Sequence, residues 1–373
     1  MRYLLVLAIV GLFLGQSYLG SAAYAVYILA VAAIVAVTKN VYLPDSQSYI
    51  VGVGIIITSV ALTMLLNVHA GSIQYLVLMI GSAITYPLLP GAGLRHKHYK
   101  YLVYFLLVTC LPISVGIKAG YHTLWGNPNN YASLLICASY ALLLPSGRKF
   151  WLQAVIMAAT FYLIFQTNSR SVLAAYALFI VLFVVQKYVL KTVFRWRLLA
   201  LLGVIVFAYI TLITDDRFQL LAAIQDANVG NKGYNGLSFR DQLFFAAVEI
   251  IGEHPLGVGM GQAGVYMEDK LGIGLSPHNA FLKMTVEGGL GLLLGYLIVL
   301  IGAIRKLRSP LAGSVYVALF VRCLFESATP LTGSIVSAML LLPFFFNESS
   351  LALEYRREGG PVRAVAGGVG VPA

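Results

Sequence analysis

Charge is what this sequence has least of. Only 10% of its 373 residues are Asp, Glu, Lys or Arg, while 60% are hydrophobic. A soluble domain is about 25% charged. With a mean hydropathy of +0.85, the chain has too little polar surface to cover a water-soluble body, so lipid is the solvent for most of it. Cysteine is scarce as well. Cys110, Cys137 and Cys323 each sit inside an apolar run with no CxxC spacing, which excludes a disulfide framework and a cysteine-based metal site. No soluble domain, low-complexity linker or internal repeat interrupts the apolar runs. The formal net charge of +11 would suggest nucleic acid in a soluble chain, but here basic cytoplasmic loops account for it, and no nucleic-acid partner is expected.

What is present is a series of apolar segments long enough to cross about 30 Å of hydrocarbon, for which about 20 residues are typical. Their cores are 3–19, 21–37, 49–67, 73–91, 100–117, 131–145, 150–166, 171–190, 198–214, 280–303, 311–329 and 333–346. The opening MRYLLVLAIVGLFLGQSYLG lacks a basic segment of the signal-peptide kind and runs directly into a second apolar stretch; it reads as the first span. The expected fold is therefore an all-α polytopic membrane protein of about twelve transmembrane helices. One large extracytoplasmic loop, 215–277, lies between spans 9 and 10. Residues 1–118 form an N-terminal group of helices, 119–346 a second membrane unit, and 347–373 a Gly/Ala/Val-rich, unpatterned cytoplasmic tail expected to be disordered.

Lysine and arginine orient this bundle. With the N-terminus inside, the even-numbered turns hold Lys39, Arg95, Lys97, Lys100, Arg148, Lys149, Lys187, Lys191, Arg195, Arg197, Arg305, Lys306 and Arg308. Arg2, Arg356, Arg357 and Arg363 add to the same face, which then carries 17 of the 25 basic residues. Both termini are accordingly placed in the cytoplasm. Eight basic residues remain off that face: Lys118, Arg170, Arg217, Lys232, Arg240, Lys270, Lys283 and Arg322.

The loop 215–277 is the one connection long enough to cover a site, and long loops in compact proteins are commonly functional. Within it, RDQLFFAAVEIIGEHP repeats apolar Leu243, Phe244, Ala247, Ile250 and Ile251 at helical spacing. This predicts an amphipathic helix at the membrane surface, ending near His254–Pro255, with the glycine-rich PLGVGMGQAG as a flexible return.

Several polar residues on the extracytoplasmic side stand out against the apolar background, each with two readings. Arg170 in QTNSRS is either an arginine snorkelling to the interface or an anion ligand. In GNPNN, Asn127 and Asn129 are turn and N-cap residues or ligands. His278–Asn279 after Pro277 caps a helix or carries chemistry. Arg322 and Glu326 have the i,i+4 spacing of a structural ion pair at the membrane edge. Glu287 reads as a buried, hydrogen-bonded carboxylate that either holds a helix in place or takes part in the chemistry. Taken together, two arginines, a histidine and an amide cluster converge on one face. Arginine forks bind phosphate oxygens and stay charged at any pH, and histidine takes protons near neutrality. An enzyme acting on a lipid-linked diphosphate needs both.

The residues GNPN (126–129), Ser169–Arg170, Arg240, HPLGVGMG (254–261), His278–Asn279, Glu287 and Gly289 resemble, in order and spacing, the O-antigen ligase/polymerase family of bacterial inner-membrane glycosyltransferases. The resemblance covers about residues 120–345, and the pairing of HPLGVGMG with HNxFL is its most specific part. The family pattern E-x-G-x-x-G departs here at Leu292, which stands where its last glycine belongs. The resemblance implies a GT-C-type fold and metal-independent, inverting transfer of a glycan from undecaprenyl diphosphate, with no cofactor. It assigns Arg170 and Arg240 to the phosphates and His278 to the general base. Asn127, Asn129, Asn279, Arg217 and Lys270 are the expected substrate contacts.

Independently of the resemblance, the first extracytoplasmic turn, GQSYLGS, lacks an acidic pair, and His254 has no second histidine or cysteine at a ligand spacing. The expected acceptor is lipid A–core, making a ligase; a lipid-linked repeat unit would make a polymerase, and a pilin-glycosylating relative is a further variant. A flippase of lipid-linked oligosaccharides is the rival from another class, but transporters place polar residues at the midplane of repeated halves, whereas here they gather at one face.

Overall fold

The computed structural model describes residues 47–67, 70–91, 128–143, 150–167, 169–190, 195–214, 240–307 and 309–326. The expected spans 3–19, 21–37, 100–117 and 333–346, the tail 347–373, and the residues Asn127 and Arg217 lie outside the described residues.

Every described element is helical: α1 (Gln47–Leu66), α2 (Ala70–Gly91), α3 (Pro128–Leu143), α4 (Phe150–Gln166), α5 (Arg170–Val184, continued by a π-helical turn Val185–Leu190), α6 (Arg195–Thr214), α7 (Arg240–Glu253), α8 (Ala263–Leu271), α9 (Ala280–Lys306) and α10 (Pro310–Phe325). Among the described residues three helices are long and apolar enough to cross a membrane: α1, α5 with its π-turn, and α9. Shorter apolar helices include Phe150–Gln166 and Pro310–Phe325. Together they make a multi-pass membrane protein. Exposed Phe150, Trp151, Tyr162, Phe165 and Phe207 are what a helix presents to lipid rather than to water.

The bundle is organised around α9 and α10. Residues Leu311 to Leu324 of α10 are almost all buried, the pattern of a helix enclosed on every side; it packs on α3, α5, α6 and α9. Its start is fixed by Ser309, whose hydroxyl accepts from the Ala312 N–H at 3.0 Å, and by Pro310 in the first turn, where its missing N–H costs nothing. On α5, Val172, Ala175, Tyr176, Phe179 and Phe183 form the buried stripe, with Phe179 stacked between Tyr176 and Phe183.

α1 lies along α9 because glycines let the two backbones meet. A Cβ on Gly52 would stand 2.8 Å from the Gly295 carbonyl oxygen, and one on Gly295 would stand 2.8 Å from the Gly52 carbonyl oxygen. Small residues at such crossings are how helices associate in lipid, where no hydrophobic force draws them together.

α9 is not one continuous helix. Gly289 has φ 73° and ψ −177°, a conformation open in practice only to glycine. The break is filled by the HPLGVGMG segment. Val258 N–H donates to the Val286 carbonyl at 2.8 Å, Gly259 N–H to Glu287 at 3.0 Å, and Leu290 N–H to Pro255 at 3.1 Å. Gly257 and Gly289 lie so close that a Cβ on either would come within 2.6 Å of the opposing backbone. The stretch expected to be a flexible return is therefore seated in the helix it returns to. The loop also contains α8, which hydropathy did not reveal.

Two cores result. The larger is shared by the membrane helices. The smaller joins Leu243, Ala246, Ala247 and Ile250 of α7, Val258, Ala263 and Met267 around α8, and Val286 of α9. The predicted helix at 240–254 is thus present as α7, with its apolar face turned into this second core.

Candidate active site

Chain direction brings the polar residues together. The starts of α3, α5 and α9 and the ends of α6 and α10 meet at one end of the bundle, and α7 begins there too. The basic ends of α5 and α9, with Lys187, Arg305 and Lys306, lie at the other.

Glu326 is at the centre of this end. It follows the last residue of α10, with extended backbone (φ −140°, ψ 141°), and its side chain is 8% exposed. A buried carboxylate at a helix C-terminus is doubly unfavourable, through desolvation and through the helix dipole. It is compensated from three other helices. Asn129 Nδ2 at the start of α3 donates to Glu326 Oε1 at 2.6 Å, and Ser171 Oγ in the first turn of α5 donates at 3.3 Å. The Arg240 guanidinium at the head of α7 lies 3.7 Å away. Arg322, expected to pair with Glu326, donates from Nε to Ser133 Oγ at 2.7 Å inside the bundle. Ser133 in turn donates to the Asn129 main-chain carbonyl, so Arg322 is linked to the backbone of the residue whose side-chain amide Glu326 accepts from.

Arg240 is held but not saturated. Its guanidinium carbon stands 5.8 Å from the centre of the Phe325 ring, a cation–π distance, and Phe325 is fixed edge-on by Tyr209 of α6. At 3.7 Å its ion pair with Glu326 is long for a charge-assisted hydrogen bond, and among the described residues its buried Nε has no acceptor. The fork therefore has unused donors.

His278 is half-buried just before α9. Burial holds its imidazole below the ordinary histidine value; Glu326 pulls it back up and Arg240 pushes it further down. Near neutral pH it is an uncharged base facing one carboxylate and one guanidinium. The next residue, Asn279, caps α9: its Oδ1 accepts from Phe281 N–H at 2.9 Å and Leu282 N–H at 3.0 Å, and its side chain faces the Tyr209 hydroxyl. The capping reading of Asn279 is thus what the structure shows, and the cap fixes where His278 stands.

Arg170 is the exposed first residue of α5. It adjoins Ser171, and so lies at the same end as Arg240 and His278; among the described residues it has no ion-pair partner. Lys270 is elsewhere, bridging Glu249 and Glu253 across α7 and α8. The structure therefore brings together Arg170, Arg240, His278, Asn129 and Asn279, but not Lys270.

Glu287, 1% exposed, belongs to the break in α9. Lys283 Nζ is 3.9 Å from its Oε1, and the backbone N–H groups of Gly261 and Ala263 face its carboxylate. It anchors the start of α8. His254 packs edge-on against Tyr266. Among the described residues no three His, Cys, Asp or Glu side chains gather as metal ligands.

The residue missed by sequence reasoning is Glu326 as a hub. Its i,i+4 spacing from Arg322 suggested a local partner, and the contact with Asn129, 197 positions away, leaves no local signature.

Residues 133–300 match the family model described as O-Antigen ligase. No curated protein matches the chain.

Proposed function

From an O-antigen ligase-family domain spanning residues 133–300, we propose that the protein is a glycosyltransferase of the bacterial inner membrane, moving a glycan from undecaprenyl diphosphate to an acceptor sugar of lipid A–core. The observation that carries this reading is the convergence of an unsaturated arginine, an exposed arginine and an uncharged histidine at one end of a membrane bundle. Arg240 and Arg170 are the cations for the donor diphosphate, aided by the N-terminal ends of α3, α5 and α9. Their charge stands where negative charge develops as the leaving group departs, which is the main electrostatic requirement of such a transfer.

The acceptor hydroxyl oxygen attacks the anomeric carbon from the face opposite the diphosphate. The new C–O bond forms as the old one breaks, its electron pair leaving with undecaprenyl diphosphate, and the hydroxyl proton passes to His278. This inverts the anomeric centre and uses no metal. Asn129 and Asn279 shape the site; Asn127, Arg217 and Lys270 are proposed contacts to more distant parts of the substrates.

The proposed setting is a twelve-span, GT-C-type bundle with both termini in the cytoplasm and the loop 215–277 outside. The basic residues at the far end of α5 and α9 support it, because cytoplasmic ends collect Lys and Arg. The site then faces the periplasm.

The deciding experiment is transfer by the purified, reconstituted protein from an undecaprenyl-diphosphate-linked glycan, with and without EDTA. His278→Ala and Arg240→Ala are each expected to lower transfer at least about 100-fold, the scale of a lost general base or charge stabiliser, while still inserting in the membrane. Full activity of His278→Ala removes the base assignment, and inhibition by EDTA removes the metal-free mechanism. Supplying lipid A–core or a second lipid-linked unit as acceptor separates ligase from polymerase. Movement of labelled lipid across the bilayer without glycan transfer identifies a flippase.

A further inference from the structure

Glu326 has more partners than a brace needs. α3, α5 and α7 each direct a donor at one buried carboxylate at the end of α10, and the same charge acts on His278. A carboxylate that served only to join helices would be replaced at little cost by a neutral hydrogen-bonding group, since burying a charge at a helix C-terminus is unfavourable. Here the negative charge lies 3.7 Å from the group proposed to bind phosphate and also acts on the group proposed to take the proton.

We propose that Glu326 is a positioning residue for both: it holds Arg240 and Asn129 in register, and its charge stabilises the imidazolium that forms when His278 accepts the hydroxyl proton. The inference rests on His278 being the base of the reading above. Glu326 itself exchanges no proton. As the acceptor C–O bond forms and the bond to the diphosphate breaks, positive charge appears on His278 while negative charge leaves with the diphosphate. Arg240 would otherwise oppose that new positive charge, and Glu326 offsets it. Among the described residues, the charged groups acting on His278 are Glu326, at the end of α10, and Arg240, at the head of α7. The arrangement parallels the carboxylate that stabilises a catalytic imidazolium in hydrolases, reached here from a different helix and shared with a phosphate-binding arginine.

The test is the titration of His278 by NMR in full-length protein labelled at histidine, the resonance being assigned by its loss in His278→Ala. In Glu326→Gln the midpoint is expected to fall by about one pH unit, the effect of removing a nearby opposite charge, and the acid limb of kcat to fall with it. Maximal transfer is expected to drop at least tenfold. Glu326→Asp keeps the charge but withdraws it by one methylene; its midpoint is expected between those of the wild type and Glu326→Gln. Loss of activity in Glu326→Gln with an unmoved His278 midpoint shows a structural brace and overturns the inference. If Glu326→Gln does not accumulate, a wild-type midpoint in Glu326→Asp overturns it equally. Because the titration needs no substrate, its failure is distinct from failure of the transferase reading, which the His278→Ala activity decides.

Discussion

At the scale of single residues, His278 sets the pH behaviour. Burial lowers its proton affinity more than Glu326 restores it, so the folded protein keeps the ring neutral below the usual histidine value of about 6.5. Transfer should therefore persist into mildly acidic solution, with the acid limb of kcat below about pH 6.5. A limb at or above that value would mean that a different group is titrating. The same shift has a sign for stability: a depressed histidine binds its proton less readily folded than unfolded, so its contribution is present above the unfolded value and declines as pH falls through it. The neighbouring Asn279 shows how much of this site was legible in the sequence. A Pro-His-Asn start before an apolar run announces a helix cap, and the cap is there. Glu326 was not legible as a hub. Its near neighbour in sequence is Arg322, but its partners are Asn129, Ser171 and Arg240, joined only by the fold.

At the scale of elements, hydropathy located the apolar helices among the described residues to within a few positions, because the requirement to span lipid is written in composition. It did not locate the break in α9 or the seating of HPLGVGMG within it. Glycine in a loop reads as freedom, whereas Gly257 and Gly289 are there because two backbones touch. Leu292, where the family pattern has glycine, is fully buried and packs over Gly288, so the departure is accommodated by local packing. Three substitutions separate these roles by thermal unfolding in detergent. Gly289→Ala combines a conformation costing about 1–3 kcal/mol for a non-glycine residue with a Cβ 2.5 Å from the Leu256 backbone, and should lower the midpoint most or prevent accumulation. Gly295→Leu overpacks the α1–α9 crossing, a change that costs about 1–3 kcal/mol. Gly54→Ala, whose Cβ would meet nothing within 4 Å, should leave the midpoint unchanged or slightly raised. Equal midpoints for all three would remove the close-approach explanation.

At the scale of the whole molecule, the polar end and the basic end of the bundle should lie on opposite sides of the membrane. Single cysteines at Leu275 and Lys306, both exposed, test this in a Cys110→Ser background whose other cysteines, Cys137 and Cys323, are buried. In spheroplasts a membrane-impermeant maleimide is expected to label Leu275→Cys directly and Lys306→Cys only after permeabilisation; the reverse pattern inverts the topology. The expected orientation rests on basic residues that recur in loop after loop, and the labelling decides it. The convergence of α3, α5 and α7 on one carboxylate at the end of α10 was not legible, since sequence spacing carries no record of which helices are neighbours.

The presence of two cores has a mechanical meaning. Arg240 rides on α7, which is built into the smaller core, while Arg170 and Glu326 belong to helices of the larger one. The first turns of α9 straddle the seam, with Val286 in one core and Ala280 and Met284 in the other, and His278 sits at their head. In the proposed reaction the diphosphate would be gripped by one arginine from each side. The donor is then a fastener as well as a substrate: its diphosphate would tie a helix of the smaller core to a helix of the larger one, and the tie would go when the diphosphate leaves.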